Sequence, residues 1–240
     1  LDPSNGWLMT LLAEVYIALG DLEAATEVRR RIAERLGPGN SYGYSLEMTL
    51  RGLRSGWQES LMLDSIPPEM DGYGNIYPYR VLAYLMGREF KAAHEVLLKY
   101  EPGWGDSDQW QHMIKDNRLF GGCVVAGIFI QAGEEDLGTA LLDQAAKYEL
   151  VTLPSQVEAT DRFSFYVPGL CHLVSGDHDD ALEFFAAQVS GGHYFDWPMV
   201  RLLPWWDPLR DDPRFIALEE MVEAKTAEQR ELLRQMDEGK

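Results

Sequence analysis

An all-α fold of antiparallel helix pairs is predicted by three features of this sequence. Apolar residues recur at helical spacing along most of the chain. Glycines break those runs at intervals of 36, 31, 46 and 43 residues, each opening a second periodic run. An alanine follows most of these glycines by five to seven residues (Ala25, Ala92 or Ala93, Ala140, Ala181), a small side chain that lets two helices of a pair approach closely. More than 60% helix and essentially no strand are expected.

The first pair is the clearest. Trp7–Leu19 carries Leu8, Leu11, Leu12, Val15, Tyr16 and Leu19 at helical spacing. Gly20 supplies a tight turn and Asp21 caps the next helix. Leu22–Leu36 then places Ala25, Val28 and Ile32 on one side, and Gly37-Pro38-Gly39 ends it. A weaker copy centres on Gly56, with helices expected over Tyr44–Leu53 and Gln58–Ile66. Gly87 joins Ile76–Met86 to Arg88–Tyr100, and Gly133 joins Leu119–Ala132 to Leu137–Tyr148. Gly176-Asp177 joins Phe163–Ser175 to Asp179–Val189. The array therefore covers 1–202, with units near 6–39, 42–66, 75–101, 119–149 and 162–190. The segment 203–240 reads as a connecting loop and C-terminal capping helices. Its first helix starts at Pro213, packs through Phe215, Leu218 and Val222, and ends near Lys225. Thr226 with Gln229 has the spacing of a capping box that restarts a helix ending near Met236.

This pattern resembles the tetratricopeptide repeat family, whose unit is a 34-residue helix-turn-helix. Gly6–Gly39 carries the resemblance best. Leu1-Asp2-Pro3-Ser4-Asn5 resembles the tail of an earlier repeat, so the chain is expected to begin inside a longer array. The resemblance implies a right-handed α-solenoid with a C-terminal capping helix and a concave groove lined by the first helix of each pair. By the family pattern the groove residues are Trp7, Thr10, Glu14 and Ile17, then Phe120, Cys123 and Gly127, then Phe163, Tyr166 and Leu170. "DPLRDDPRF", from Asp207 to Phe215, looks like the closing segment of repeat arrays in bacterial regulators. Such arrays sit behind a winged-helix DNA-binding domain or a nucleotide cyclase domain.

A formal net charge of −18 excludes direct binding to nucleic acid or to anionic lipid as the main role. No apolar run approaches the roughly 20 residues that span a bilayer. Low cysteine content fits the cytoplasm, with the periplasm as the alternative for a membrane-tethered regulator.

Little in the sequence points to catalysis. His172 and His178 flank a turn with Asp177, Asp179 and Asp180. That is either a metal site or turn polarity around one packed histidine, and no pair of histidines stands at i, i+4 on one helix face. Cys123 and Cys171 fall in successive first helices. Counted from their turn glycines they are five residues out of step, roughly 7.5 Å at the helical rise. Two buried thiols are expected, with a bridge as the alternative. Trp104 and Trp110 in Glu101–Asn117, Trp197, Trp205 and Trp206 near the C-terminus, and Tyr73, Tyr77 and Tyr79 lie in connections. They either plug the edge of the helical layer or line an aromatic site.

No catalytic residue, cofactor or metal is therefore predicted. The expected function is a protein-interaction or sensory module, the C-terminal part of a bacterial signalling or transcription regulator. Its groove takes a peptide or protein segment, upstream domains of the same polypeptide included. The alternatives are a helical-toroid carbohydrate-active enzyme and a structural scaffold that forms a homodimer.

Overall fold

The computed structural model describes residues 5–37, 40–57, 77–116, 121–152 and 166–238. Of these, 83% are helical, and no strand occurs among them. The all-α expectation is met. The twelve α-helices named below are those of the described residues. They fall into two compact units.

The first unit spans 1–87, 195–202 and 219–240. It contains α1 (Gly6–Ala18), α2 (Leu22–Leu36), α3 (Ser41–Ser55), α4 (Tyr77–Met86) and α11 (Trp197–Val200). Its core joins Met9, Ala13 and Ile17 of α1 to Ala25, Val28 and Ile32 of α2 and Leu46 and Leu50 of α3. Polar caps set the helix starts. Asn5 Oδ1 accepts from Leu8 N–H at 3.2 Å, Asp21 Oδ1 from Ala24 N–H at 2.9 Å, and Asn40 Oδ1 from Gly43 N–H at 2.7 Å. The expected second helix of the Gly56 copy, Gln58–Ile66, lies outside the described residues, as do Tyr73 and the groove residues Phe120 and Phe163.

The α1–α2 turn has the conformation its glycine permits. Gly20 sits at φ +75°, which an L side chain rarely adopts. The carbonyl of Leu19, the C-cap residue after α1, accepts from Arg230 Nη1 at 2.9 Å, so a side chain satisfies one of the orphan groups of that helix end. Gly20→Val is expected to cost about 1–2 kcal/mol through backbone strain. An unchanged melting temperature would count against the turn.

The second unit spans 88–194 and 203–218. It contains α5 (Phe90–Tyr100), α6 (Trp110–Asp116), α7 (Gly122–Ala132), α8 (Glu135–Ala146), α9 (Val167–Ser175) and α10 (His178–Ser190). The pairs α7–α8 and α9–α10 pack directly on each other, and α7 also packs on α5 and α9. The α7–α8 approach is tight at Gly138, where a Cβ would stand 2.8 Å from the backbone nitrogen of Ile130. Ala140, expected at that contact, is exposed instead. The small residue in contact is thus two positions earlier than the alanine spacing suggests.

The segment Glu101–Asp116 is largely helical rather than a loop. Pro102–Gly105 forms a 3-10 turn and α6 follows. Trp110 Nε1 donates to Trp104 O at 2.7 Å, and Trp104 Nε1 to Glu101 Oε2 at 2.7 Å. Trp104, Trp110, Trp197, Trp205 and Trp206 are all buried, so the connection tryptophans plug the helical layers.

The last helix, α12, runs unbroken from Pro213 to Glu238, first in the second unit and from Glu219 in the first. The expected break at Thr226 does not occur. No Gly or Pro interrupts Glu223-Ala-Lys-Thr-Ala-Glu228, and Thr226 is buried inside the helix. In the first unit, Glu219 of α12 accepts from Trp197 Nε1 at 2.8 Å and from Arg201 Nη1 at 2.7 Å.

Candidate functional site

The sequence-derived groove residues meet different fates. Trp7 leaves 56% of its surface exposed. Thr10 is buried, its hydroxyl donating to Gly6 O at 2.9 Å, and Ile17 belongs to the first unit's core. Glu14 and Leu170 are half-buried. Tyr166 is buried, stacked on Phe185 with ring centroids 6.0 Å apart. Gly127 is covered by Trp205, whose ring would lie 2.6 Å from a Cβ there. On α1, Trp7, Leu11 and Val15 follow at i, i+4 and i+8, with Val15 39% exposed.

The histidine turn makes no close polar contact between His172 and its aspartates. His172 Nδ1 lies 3.9 Å from carboxylate oxygens of both Asp177 and Asp180, too far to hydrogen-bond. Among the described residues, the one group of His, Cys, Asp or Glu close enough to hold an ion is Cys123, Glu149 and Cys171.

Those three residues form the most unusual feature of the second unit. Cys123 and Cys171 are joined by a disulfide, with their Cα atoms 5.0 Å apart. The expectation of two free thiols is thereby corrected. The five-residue offset assumed that α7 and α9 run side by side, matched turn for turn. A 5.0 Å approach requires α9 to be displaced or inclined along α7, so that the second residue of α7 faces the middle of α9.

Glu149 was not singled out by the sequence reading. It lies in a π-helical turn, Lys147–Thr152, that continues α8. A wider turn of this kind rotates the side chains that follow it and recurs at functional sites. Here it carries the carboxylate inward to the start of α7. The side chain is 1% exposed. It accepts from Gly122 N–H and, at 3.1 Å, from Cys123 N–H. These are orphan amides of the first turn of α7, at the positive end of its dipole. Gly121 and Gly122 make room for it: a Cβ on either would stand 3.2 or 3.3 Å from its Oε1, and one on Gly122 also 2.8 Å from Ala145 Cβ. The available sequence signal was a lone charge within Tyr148–Leu153.

Burial raises the Glu149 pKa from 4.5 to about 7, against the opposing pull of the Cys123 and Gly122 amides. The folded state therefore keeps a proton that the unfolded state releases above pH 4.5. This group's contribution is full below pH 4.5, falls as pH rises, and is lost above pH 7. The shift corresponds to about 3 kcal/mol. Urea midpoints of the native chain should fall between pH 5 and 8 relative to those of Glu149→Gln, which cannot ionise. Parallel midpoints for the two proteins would show that Glu149 is not held protonated.

No family model, curated protein or solved structure matches this chain.

Proposed function

We propose that this chain is a non-catalytic protein-interaction module of the tetratricopeptide kind, its helix pairs stacked as a right-handed α-solenoid. The pairs α1–α2, α7–α8 and α9–α10 support that reading, each turning at a glycine of positive φ. The observation that carries the function is the open face of α1. This helix has one charged residue in thirteen, Glu14, and still leaves Trp7 and Val15 exposed. A helix apolar on nearly every side is normally covered on every side. Tryptophan is also the residue most enriched among binding hot spots.

The occupant is an amphipathic peptide segment with an apolar or aromatic face and basic flanks. The net charge of −18 favours such a segment and repels acidic ones. The setting we infer is the C-terminal part of a bacterial signalling or transcription regulator, in the cytoplasm. Among the described residues, no helix is long and apolar enough to cross a membrane.

The test uses synthetic helical peptides and fluorescence anisotropy. A basic amphipathic peptide should bind. Its acidic counterpart and a version with a scrambled apolar face should not. Trp7→Ser, at an exposed position, should fold normally and bind at least about tenfold more weakly. Added salt should slow association more than it weakens affinity. Equal binding by Trp7→Ser would reject the α1 face. A concentration-dependent dimer that Trp7→Ser abolishes would assign that face to self-association.

A further inference from the structure

We propose that Cys123, Cys171 and Glu149, once the disulfide is reduced, form a binding site for a zinc-class divalent metal ion. One sulfur from each cysteine and one carboxylate oxygen already lie within 4.8 Å of one another, and all three residues are buried. At bond lengths of about 2.0–2.3 Å, tetrahedral ligands stand roughly 3.3–3.8 Å apart. Breaking the disulfide lets the two sulfurs part to that spacing, with the carboxylate oxygen already within 4.8 Å of both. Two thiolates select a borderline or soft metal over calcium or magnesium.

The environment is that of a ligand set held in place. Glu149 is oriented by the Gly122 and Cys123 amides, and ligating carboxylates are characteristically hydrogen-bonded in this way. The donors come from three separate elements: the start of α7, the middle of α9 and the π-helical turn after α8. The folded chain brings them together before any ion arrives. Two thiolates and a carboxylate carry three negative charges, and a divalent cation offsets two of them in a buried place. Three protein ligands leave the fourth position to a water molecule. In a reducing compartment the thiol form prevails and the site is open to metal. Oxidation closes it by spending both sulfurs on the disulfide.

The chemistry balances with a phosphine as reductant. The phosphorus attacks one sulfur and the S–S bond breaks. Water then supplies the oxygen of the phosphine oxide and the two protons of the thiols. Binding an M2+ ion forms two metal–sulfur bonds and one metal–oxygen bond, and releases those two protons together with the proton that Glu149 carries below pH 7.

The experiment takes the full chain in two states, air-oxidised and phosphine-reduced under nitrogen. Each is mixed with Co2+ and passed over a desalting column. The reduced chain should retain one Co2+ per molecule, with intense sulfur-to-cobalt charge-transfer absorption and the visible bands of a four-coordinate ion. The oxidised chain should retain none. Cys171→Ser should lose tight retention. Glu149→Gln should keep the charge-transfer absorption and bind at least about tenfold more weakly. Circular dichroism checks that each variant is folded, and Glu149→Asp replaces Glu149→Gln if the latter is not. Equal retention by the two redox states, or none by the reduced chain, would overturn the proposal. Unchanged affinity in the Glu149 variant would remove the carboxylate from the site and overturn it as stated.

Discussion

Trp206→Ala is expected to destabilise the protein by about 3–5 kcal/mol, the range for removing a fully buried large aromatic ring. Trp206 has no exposed surface. Its ring lies 5.1 Å from that of Phe185 on α10 and 5.0 Å from that of Phe215 on α12, centroid to centroid. Truncation thus leaves a void between the last helix pair and the first turn of α12. Two aromatic contacts are lost at the same time, each worth about 0.5–1.5 kcal/mol beyond area burial. Denaturant unfolding followed by circular dichroism measures this directly. A loss below about 1 kcal/mol would mean that the surrounding side chains close the void. Phe215→Ala should fall in the same range, and the double variant should cost less than the two single losses combined, because the rings share one contact.

Reducing the Cys123–Cys171 bond is expected to cost about 4 kcal/mol. The cysteines are 48 residues apart, and the chain-entropy relation gives that magnitude for a loop of this length. The loop encloses α8, so reduction frees α8 and the turn bearing Glu149 in the unfolded ensemble alone. In the folded chain α7 packs directly on α8. Unfolding midpoints measured with and without a phosphine reductant give the difference. If Co2+ restores most of the lost stability to the reduced chain, the ion replaces the disulfide as the clamp between α7 and α9. A reduced, metal-free chain as stable as the oxidised one would remove the disulfide from any structural role.

Most of the fold was legible because its signals are local. Helix periodicity, a glycine at positive φ and a polar cap are each written within a few consecutive residues. Leu22–Leu36 was placed at its observed bounds on that basis. The packing of Phe215 and Leu218 in the closing segment was legible too, since an apolar stripe on an otherwise polar helix has to be buried somewhere. The continuity of α12 through Thr226 was misjudged. A capping box states where a helix is able to start, not that the preceding residues leave the helical region.

What only the tertiary structure decided is what depends on the mutual inclination of distant helices. The meeting of Cys123 with Cys171 is one case: a count of residues from each turn sees axial position along a helix, not the tilt of one helix on another. The inward turn of Glu149 is a second, because one π-helical turn redirects the side chains after it with no mark in the periodicity. The burial of five connection tryptophans is the third. Their apolar surface was certain from sequence, but the neighbours that meet Trp197, Trp205 and Trp206 (Glu219, Gly127 and Phe185) are distant in the chain.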